Sequence, residues 1–484
     1  MRIRYWRWSW WLPLVLFACA AQAARSDWRE MSVGRLRLYS AVSDSKTREI
    51  ARRLQAFEST VGELLRHDDP LPDIPTDIYV LHGRDFNQFA APYQGLAGFF
   101  QARAYGNVIA INGDLDFDNV RESIYHEYTH YIQNSSSTVN FPPWYAEGYA
   151  ELFSSFRMKD DTIYIGETPA GVRFNLAQWI PLERLLSVSQ SDPEYHTEQL
   201  APQFYGESWI LVHMLLFDDT TYTPATGHYL DNMNLGVPEA EAFASSFEIS
   251  KAELDKRLQE LIRKGRIHIK RLVLAQSVAL TAAATTPMPV ASADAQLARL
   301  AFYMRRPRTV VLQALEQAMK SGGSEAATRA LQARILAHAG QSIEIADLVA
   351  SLGKGGVDEV QQRLDVADAL LTRSDVEQPG VKVCAILNDL IESPDAPLEA
   401  VGLWSDAAAS VGVDAARIRK VLEGASRRAP HNTRLLAHLA EALASSDDLA
   451  GAKAAYIRII QVSHSPEERL WAQKQADSER LRSR

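Results

Sequence analysis

The segment from Asn119 to Asn134, NVRESIYHEYTHYIQN, contains the pattern His-Glu-x-x-His at His126, Glu127 and His130. On a helix, residues four apart lie about 40° from each other around the axis, so both imidazoles point the same way and can bind one metal ion. Glu127 projects about 60–100° from that pair, near the metal without being forced onto it. This is where a general base has to lie.

The same segment has the periodicity of a helix with one buried face. At 100° per residue, four apolar positions fall within an arc of about 80°, and the two histidines lie well away from its centre. The four positions are Val120, Ile124, Tyr128 and Tyr131. The pattern therefore predicts a helix that packs on one side and can bind metal on the other.

A second segment, PPWYAEGYAELF from Pro142 to Phe153, supplies a candidate third ligand. A zinc site with two histidines needs a third protein ligand and leaves the fourth position for water. Pro143 is tolerated in a first helical turn, so it predicts a helix with Glu147 about one turn in. Gly148 has no side chain and is expected to let this helix approach the first one closely.

Glu151 lies four residues after Glu147 and therefore on the same face of the second helix. It can orient His126 or His130 through the free ring nitrogen, as carboxylates near metal-binding imidazoles do. The alternative is an ordinary exposed helix glutamate. The sequence leaves both interpretations open.

Together these two motifs resemble those of the gluzincin metallopeptidases, the peptidase MA-like group. The likeness lies in HEYTH and WYAEGYAE, in which Glu147 follows His130 by seventeen residues. It implies that His126, His130 and Glu147 bind one Zn²⁺ per chain and that Glu127 activates water. The aminopeptidases of the group have two more residues in the gap, so this chain departs from them in spacing. The resemblance covers residues 36–272 at most.

A third segment, Gln203 to Leu216, begins with aromatic residues and continues as an apolar helix. Amide hydrolysis at zinc places negative charge on the former carbonyl oxygen, which a phenol can stabilise. Tyr205 is the candidate donor, and it is similar to a downstream helix tyrosine of gluzincins. Packing in the core is the alternative for Tyr205. His213 is predicted to be a buried core histidine.

The chain before the first motif predicts a mixed α/β arrangement. Alternating or β-branched residues predict strands at 36–40, 76–81, 99–103 and 107–112, and helical spacing predicts an amphipathic helix over 45–67. In enzymes that this chain resembles, an exposed edge strand pairs with an extended peptide substrate. The region 99–112 is the candidate for that strand, unless both of its strands are paired internally.

Residues 1–23 have the pattern of an export signal. Three arginines precede an apolar run from Trp8 to Ala21, and Ala21-Gln22-Ala23 fits a cleavage site. The run is shorter than the roughly 20 residues of a membrane span. We therefore predict cleavage after Ala23 and a periplasmic or secreted protein without an integral membrane span. Acylation at Cys19 and an uncleaved anchor are the alternatives.

Charge and cysteine content agree with a periplasmic or secreted location. Removal of the three signal arginines takes the formal net charge from -9 to -12, which disfavours nucleic acid or an anionic membrane surface as the main partner. Cleavage also removes Cys19 and leaves Cys384 as the sole cysteine, so no disulfide framework is expected. At 484 residues and 46% hydrophobic content, the chain can build two or three cores.

The alanine-, threonine- and proline-rich stretch at 282–293 is the best linker candidate. It predicts a boundary between a metallopeptidase domain, residues 24–288, and a helical domain, residues 289–484. The clearest helix pair, Asn432 to Ser463, resembles a tetratricopeptide repeat, and a weaker copy is predicted at 326–352. Stacked repeats offer a concave surface for a protein partner; alternatively, they cap the first domain.

The predicted architecture is therefore a zincin-like α+β domain followed by a TPR-like α-helical solenoid. The resemblance implies an exported zinc metallopeptidase that acts on peptide or protein substrates, with Glu127 as general base. The competing hypothesis is a catalytically idle zinc-binding scaffold whose repeats mediate protein–protein interaction.

Overall fold

The computed structural model describes residues 27–64, 74–91, 96–136, 141–170, 172, 174–218, 221–265, 267–273, 284–322, 325–341, 357–463 and 465–478. The predicted export signal, residues 1–23, lies outside these ranges. So does 342–352, the second part of the weaker repeat copy. Within the described ranges, no helix combines the length and the apolar character needed to cross a membrane.

Two sheets are present in the described part of the chain. The strands are β1 (Arg29–Val33), β2 (Leu36–Ser40), β3 (Thr76–Leu81), β4 (Gly98–Gln101), β5 (Asn107–Asn112), β6 (Arg157–Lys159), β7 (Thr162–Ile165), β8 (Lys270–Val273) and β9 (Thr286–Pro287). The larger sheet has the order β4-β5-β3-β2-β1-β9, and the smaller one has the order β6-β7-β8. In the larger sheet β2, β3 and β5 run parallel, while β4 and β1 are antiparallel to their neighbours.

Helices pack on the larger sheet and form most of the second half of the described chain. In the first half they are α1 (Asp44–Leu64), α2 (Arg121–Ser136), α3 (Pro143–Ser154), α4 (Leu182–Ser187), α5 (Pro193–His196), α6 (Ala201–His213), α7 (Tyr222–Asn234), α8 (Glu239–Ser246) and α9 (Lys251–Lys264). In the second half they are α10 (Val290–Tyr303), α11 (Arg308–Lys320), α12 (Glu325–His338), α13 (Val357–Thr372), α14 (Pro379–Ile391), α15 (Leu398–Val411), α16 (Ala415–Arg428), α17 (Thr433–Ser445), α18 (Leu449–Val462) and α19 (Pro466–Ala476). Short helical turns lie at 83–90, 117–119, 176–178 and 214–218.

The mixed α+β arrangement followed by helices is confirmed. Strands β2, β3 and β5 have the predicted bounds, and the strand predicted at 99–103 forms as β4, which pairs with β5 in a hairpin. The amphipathic helix is also confirmed, with Ile50, Leu54 and Phe57 buried beneath the sheet and α2. Strand β1 was not predicted from the sequence.

Part of the predicted linker belongs to the larger sheet. Thr286 pairs with Glu30 and Pro287 with Arg29, which makes β9 an edge strand, the position in a sheet where proline is tolerated. Helix α10 begins directly afterwards and packs on the sheet, where the Tyr79 hydroxyl donates to Gln296 Oε1 at 3.1 Å. The segment around residue 288 is therefore part of the folded sheet and is not a free linker. The domain boundary at this position stays a prediction.

The predicted repeat unit at 432–463 consists of α17 and α18 packed together over a small apolar cluster. Asn432 caps α17 by accepting from the backbone N–H of Leu435 at 3.1 Å. Asp447 turns the chain between the helices with φ of 63°. The local pairing is therefore as predicted for this unit.

The tip of the β4–β5 hairpin inserts between helices of the second half. The Asn432 amide nitrogen donates to the carbonyl of Ala104 at 2.5 Å. The Tyr105 ring lies directly on Gly402 of α15, where an added Cβ would come within 2.1 Å of the Tyr105 hydroxyl. Only glycine at position 402 leaves room for this ring.

Candidate metal centre

Helix α2 has the two faces that its sequence predicts. Val120, Ile124, Tyr128 and Tyr131 are all buried. The Phe57 ring of α1 stacks on Tyr125 with centroids 4.1 Å apart, and Phe100 of β4 stacks on Tyr128 at 5.2 Å. This aromatic packing holds the buried face of α2 against α1 and β4. His126 and His130 therefore lie half-buried on the opposite side of the helix, and Glu127 is exposed.

A buried arginine joins α2 to α3. The Nη1 of Arg121 donates to the carbonyl of Ser154 at 3.2 Å and to the carbonyl of Phe156 at 2.8 Å. These acceptors lie at the end of α3, where helix carbonyls have no partner within the helix. The contact holds the start of α2 against the end of α3, which brings Glu147 to the histidines.

His126, His130 and Glu147 converge on one point. Glu147 Oε2 lies 3.3 Å from His126 Nε2 and 3.2 Å from His130 Nε2, and the two Nε2 atoms are 3.2 Å apart. Tetrahedral ligands at zinc-like bond lengths of about 2.0–2.1 Å are separated by roughly 3.3–3.4 Å. The three donor atoms therefore have the identity and the spacing of one tetrahedral metal site with a fourth position left for another ligand.

Charge in this cluster is strongly coupled. Burial opposes the charged form of His126, but hydrogen bonds with Glu147 and Glu151 outweigh it and raise the pKa of His126 to about 10. Burial likewise opposes ionisation of Glu147, yet hydrogen bonds from the two imidazoles hold its pKa well below the usual range. Glu147 is therefore ionised, and together with Glu151 it attracts positive charge to the site.

Glu151 contacts the site. Its Oε1 lies 3.4 Å from Nδ1 of His126, the ring nitrogen on the side away from Glu147. Its side chain is mostly shielded from solvent, with 19% exposed. The sequence left two interpretations of Glu151 open. The structure shows a residue that contacts an imidazole, and it does not show an ordinary exposed helix glutamate.

The search of protein-family models and the search of curated proteins both return no match for this chain. The inference about function therefore depends on the geometry of the site.

Tyr195 is a site residue that the sequence reasoning missed. Its hydroxyl donates to Glu147 Oε1 at 2.5 Å, so one carboxylate oxygen faces the histidines and the other is held by a phenol. Tyr195 lies on α5, a single turn within a connecting segment. No motif marks it, because its approach to Glu147 is created only when that segment folds over α3.

Tyr205 lies at the edge of the site on the first turns of α6. Its half-buried ring has its centroid 6.3 Å from that of His126 and 6.1 Å from that of Tyr195. Burial, together with the negative charge of Glu147, raises the pKa of the Tyr205 hydroxyl above its usual value. The phenol therefore stays protonated and keeps a hydrogen to donate. On the same helix His213 is a buried core histidine, as predicted, with Nε2 2.8 Å from the carbonyl of His268.

The prediction that Gly148 allows a close approach to the first helix is wrong. An added Cβ at Gly148 would lie 2.3 Å from the carbonyl oxygen of Ser208 and 2.7 Å from Val212 Cγ2, and both residues belong to α6. Gly148 therefore sets the distance between the helix of Glu147 and the helix of Tyr205. The sequence shows that a close contact is needed but not which helix makes it.

We expect Gly148→Ala to lower the free energy of unfolding by about 1–3 kcal/mol, because the methyl group meets backbone that cannot rotate away. The matched control is Gly227→Ala on α7, where an added Cβ has no atom within 4 Å. That change should stabilise the protein by up to about 1 kcal/mol through helix propensity. Chemical denaturation of both variants measures the difference, and equal stability would contradict the proposed contact.

A second prediction concerns Glu207, a fully buried carboxyl on α6. Its Oε1 accepts from the backbone N–H of Ile180 at 2.9 Å and from Gln203 Nε2 at 2.5 Å. Burial, only partly offset by these bonds, raises the pKa of Glu207 to about 8. The folded protein therefore holds a proton here that the unfolded chain loses above its ordinary pKa near 4.3.

Because the folded state binds this additional proton, its contribution to stability is complete below the ordinary pKa and is lost as pH rises towards about 8. We expect Glu207→Gln, which is neutral at every pH, to reduce the fall in unfolding free energy between pH 5 and 8. Denaturant titrations across this range, wild type against variant, measure the change. Parallel pH profiles would show that Glu207 is ionised in the folded protein.

Proposed function

We propose that the protein is an exported, zinc-dependent metallopeptidase that hydrolyses peptide bonds in peptide or protein substrates. The observation that carries this proposal is the triangle of donor atoms from His126, His130 and Glu147, with edges of 3.2–3.3 Å, beside an exposed Glu127. The export signal pattern in residues 1–23 supports the location. The finer assignment of the fold as zincin-like is supported by the sheet that packs on the metal-binding helix through its edge strand.

In this proposal His126, His130 and Glu147 hold Zn²⁺. When bound, the ion supplies a Lewis acid that polarises the scissile carbonyl and lowers the pKa of water to about 7. Glu127 extends into solvent one residue after His126 and takes the proton from the attacking water. The same carboxyl then delivers that proton to the leaving amine.

The surrounding residues keep these groups in position. Tyr195 occupies Glu147 Oε1, so the carboxylate presents Oε2 alone to the metal side. Glu151 accepts from Nδ1 of His126 and so fixes the tautomer in which Nε2 is the free donor atom. In this proposal Tyr205 donates to the oxyanion that forms from the carbonyl, which is supported by its protonated phenol and by a ring centroid 6.3 Å from that of His126.

Strand β4 is the proposed binding edge for an extended peptide. It is the terminal strand of the larger sheet and, within the described residues, pairs only with β5. Gly98 lies so close to Ile124 of α2 that an added Cβ would be 3.0 Å from its side chain. β5 is paired on both sides, whereas the outer edge of β4 is open and its strand contacts the helix of the two histidines, which favours β4 as the strand that pairs with a substrate.

The first test is hydrolysis and metal content of the purified protein. We expect one zinc per chain by elemental analysis and cleavage of a denatured protein or a peptide library. A chelator should abolish cleavage and added Zn²⁺ should restore it. Stoichiometric zinc without cleavage of any substrate would favour the scaffold hypothesis, and absence of bound metal after zinc loading would reject both.

A further inference from the structure

A cavity of about 860 Å³ lies between the larger sheet and the helices of the second half. Its walls are the tip of the β4–β5 hairpin, the starts of β2 and β3, and parts of α10, α12, α13, α15, α16 and α17. None of the residues of the candidate metal centre lines it. The volume falls within the range of small-molecule sites, about 300–1,000 Å³.

The lining is rich in positive charge. Seven of its residues are arginines and four are aspartate or glutamate. Three of the four carboxylates are already paired. Asp77 accepts from Arg37 Nε at 2.7 Å, and Arg334 binds Asp368 at 3.0 Å and Glu399 at 2.7 Å. The fourth, Asp395, is exposed.

Three of the arginines form no salt bridge among the described residues, although Asp77 attracts the charge of one of them, Arg103, at longer range. The guanidinium of Arg103 lies 3.5 Å from the ring centroid of Tyr303 and makes no hydrogen bond or ion pair within the described chain. Such stacking uses the face of the guanidinium and leaves its in-plane N–H groups for an anion. Arg305, exposed after α10, also has no ion pair there. Arg428 donates to the carbonyls of Pro394 and Ala396, which leave its charge uncompensated.

Two of the buried donors in the lining belong to residues without a salt bridge and make no hydrogen bond among the described residues. They are the Tyr105 hydroxyl and Nε of Arg428. Buried polar groups in folded proteins almost always have a hydrogen-bond partner, and each exception requires an explanation. The Tyr105 hydroxyl faces Gly402 of α15 and Nε of Arg428 is fully covered, so neither atom is exposed to the free volume of the cavity, and recognition of an anion depends on the charges of the arginines.

We infer that this cavity binds a small molecule that carries one or more phosphate groups. Arg103 comes from the hairpin, Arg305 from the turn after α10 and Arg428 from α16, so the unpaired charges lie on separate walls. One bidentate arginine suffices for a planar carboxylate, whereas a tetrahedral, multiply charged phosphate accepts from several donors at once. Apolar lining residues, among them Phe302, Leu364 and Leu403, can contact the rest of the ligand. The inference does not depend on the proposed peptidase activity.

The test is isothermal titration of the full chain with orthophosphate and with fructose 1,6-bisphosphate, using fructose as the neutral control. We expect saturable 1:1 binding of at least one phosphate probe, weakened by added salt because the contacts are ionic. Tighter binding of the bisphosphate assigns an organic phosphate ester, and tighter binding of orthophosphate assigns the free ion. Fructose should show no binding.

Arg103→Gln and Arg305→Gln should each raise the Kd by roughly tenfold, the usual cost of one lost hydrogen bond to a charged group. Arg305 is exposed, so its variant tests the site even if loss of the Arg103 stacking weakens folding. The matched control is Arg263→Gln on α9, an exposed arginine outside the cavity. Absence of saturable binding, a Kd unchanged in both cavity variants, an equal loss in Arg263→Gln, or tighter binding of citrate than of either phosphate probe would overturn the inference.

Discussion

We expect Glu127→Gln to bind zinc as the wild-type protein does and to hydrolyse peptides about 10²–10⁴ times more slowly. The amide keeps nearly the shape of the carboxylate but cannot accept the proton of the attacking water. Because Glu127 is exposed and is not one of the three residues whose donor atoms converge, the fold and the candidate metal site should be unaffected. The measurement is kcat/KM on a cleaved peptide together with zinc per chain.

Glu183→Gln is the matched control for this experiment. It makes the same chemical change at an exposed position on α4, away from the metal centre. Its activity should equal that of the wild type. Hydrolysis that persists in Glu127→Gln at the wild-type rate would remove the proposed mechanism, whatever the zinc content.

Replacement of the third ligand should have the second large effect. In Glu147→Gln the oxygen that lies 3.2–3.3 Å from both imidazoles is no longer charged, so zinc loses its anionic ligand. We expect the zinc affinity to fall by more than about a hundredfold, since residues that only orient ligands already account for 10–100-fold. Competition with a chromophoric chelator measures the dissociation constant directly.

The zinc affinity of Glu151→Gln is the reference with which the loss in Glu147→Gln is compared. It leaves all three donor atoms in place and weakens only the contact with Nδ1 of His126, so the expected loss is between about tenfold and a hundredfold. Zinc affinity should therefore decrease in the order wild type, Glu151→Gln, Glu147→Gln. A Glu147→Gln variant that binds zinc as tightly as the wild type would show that the carboxylate is not a ligand.

The parts of the site that the sequence predicts are those determined by local geometry. Spacing on α2 places His126 and His130 on one side, and the buried positions on the other side are those that helical periodicity selects. Glu147 was predicted from a second motif, with a resemblance to known enzymes linking the two. Strand β2 was predicted from the alternation of its residues, and β3 and β5 were predicted from their β-branched residues; both are local signals.

The parts that were not predicted depend on contacts between distant segments. Tyr195 reaches Glu147 across 48 residues of sequence, and no spacing rule relates a one-turn helix to a carboxylate. Gly148 indicates a close approach without indicating its partner, which proved to be Ser208. Strand β1, with the sequence REMSV, alternates polar and apolar residues only from Glu30 to Val33, and its pairing with both β2 and β9 supplies the stability that its own sequence lacks.

The insertion of Tyr105 onto Gly402 has a consequence for any attempt to produce the part of the chain with the candidate metal centre alone. The loop that carries this ring continues directly from β4, the strand whose open edge adjoins α2. A fragment ending at residue 288 would expose the ring to water, remove the amide that binds Ala104 and release the anchoring of that strand from its far end. Truncation would therefore alter the position of β4, the proposed peptide-binding edge, without changing any residue of the candidate metal centre.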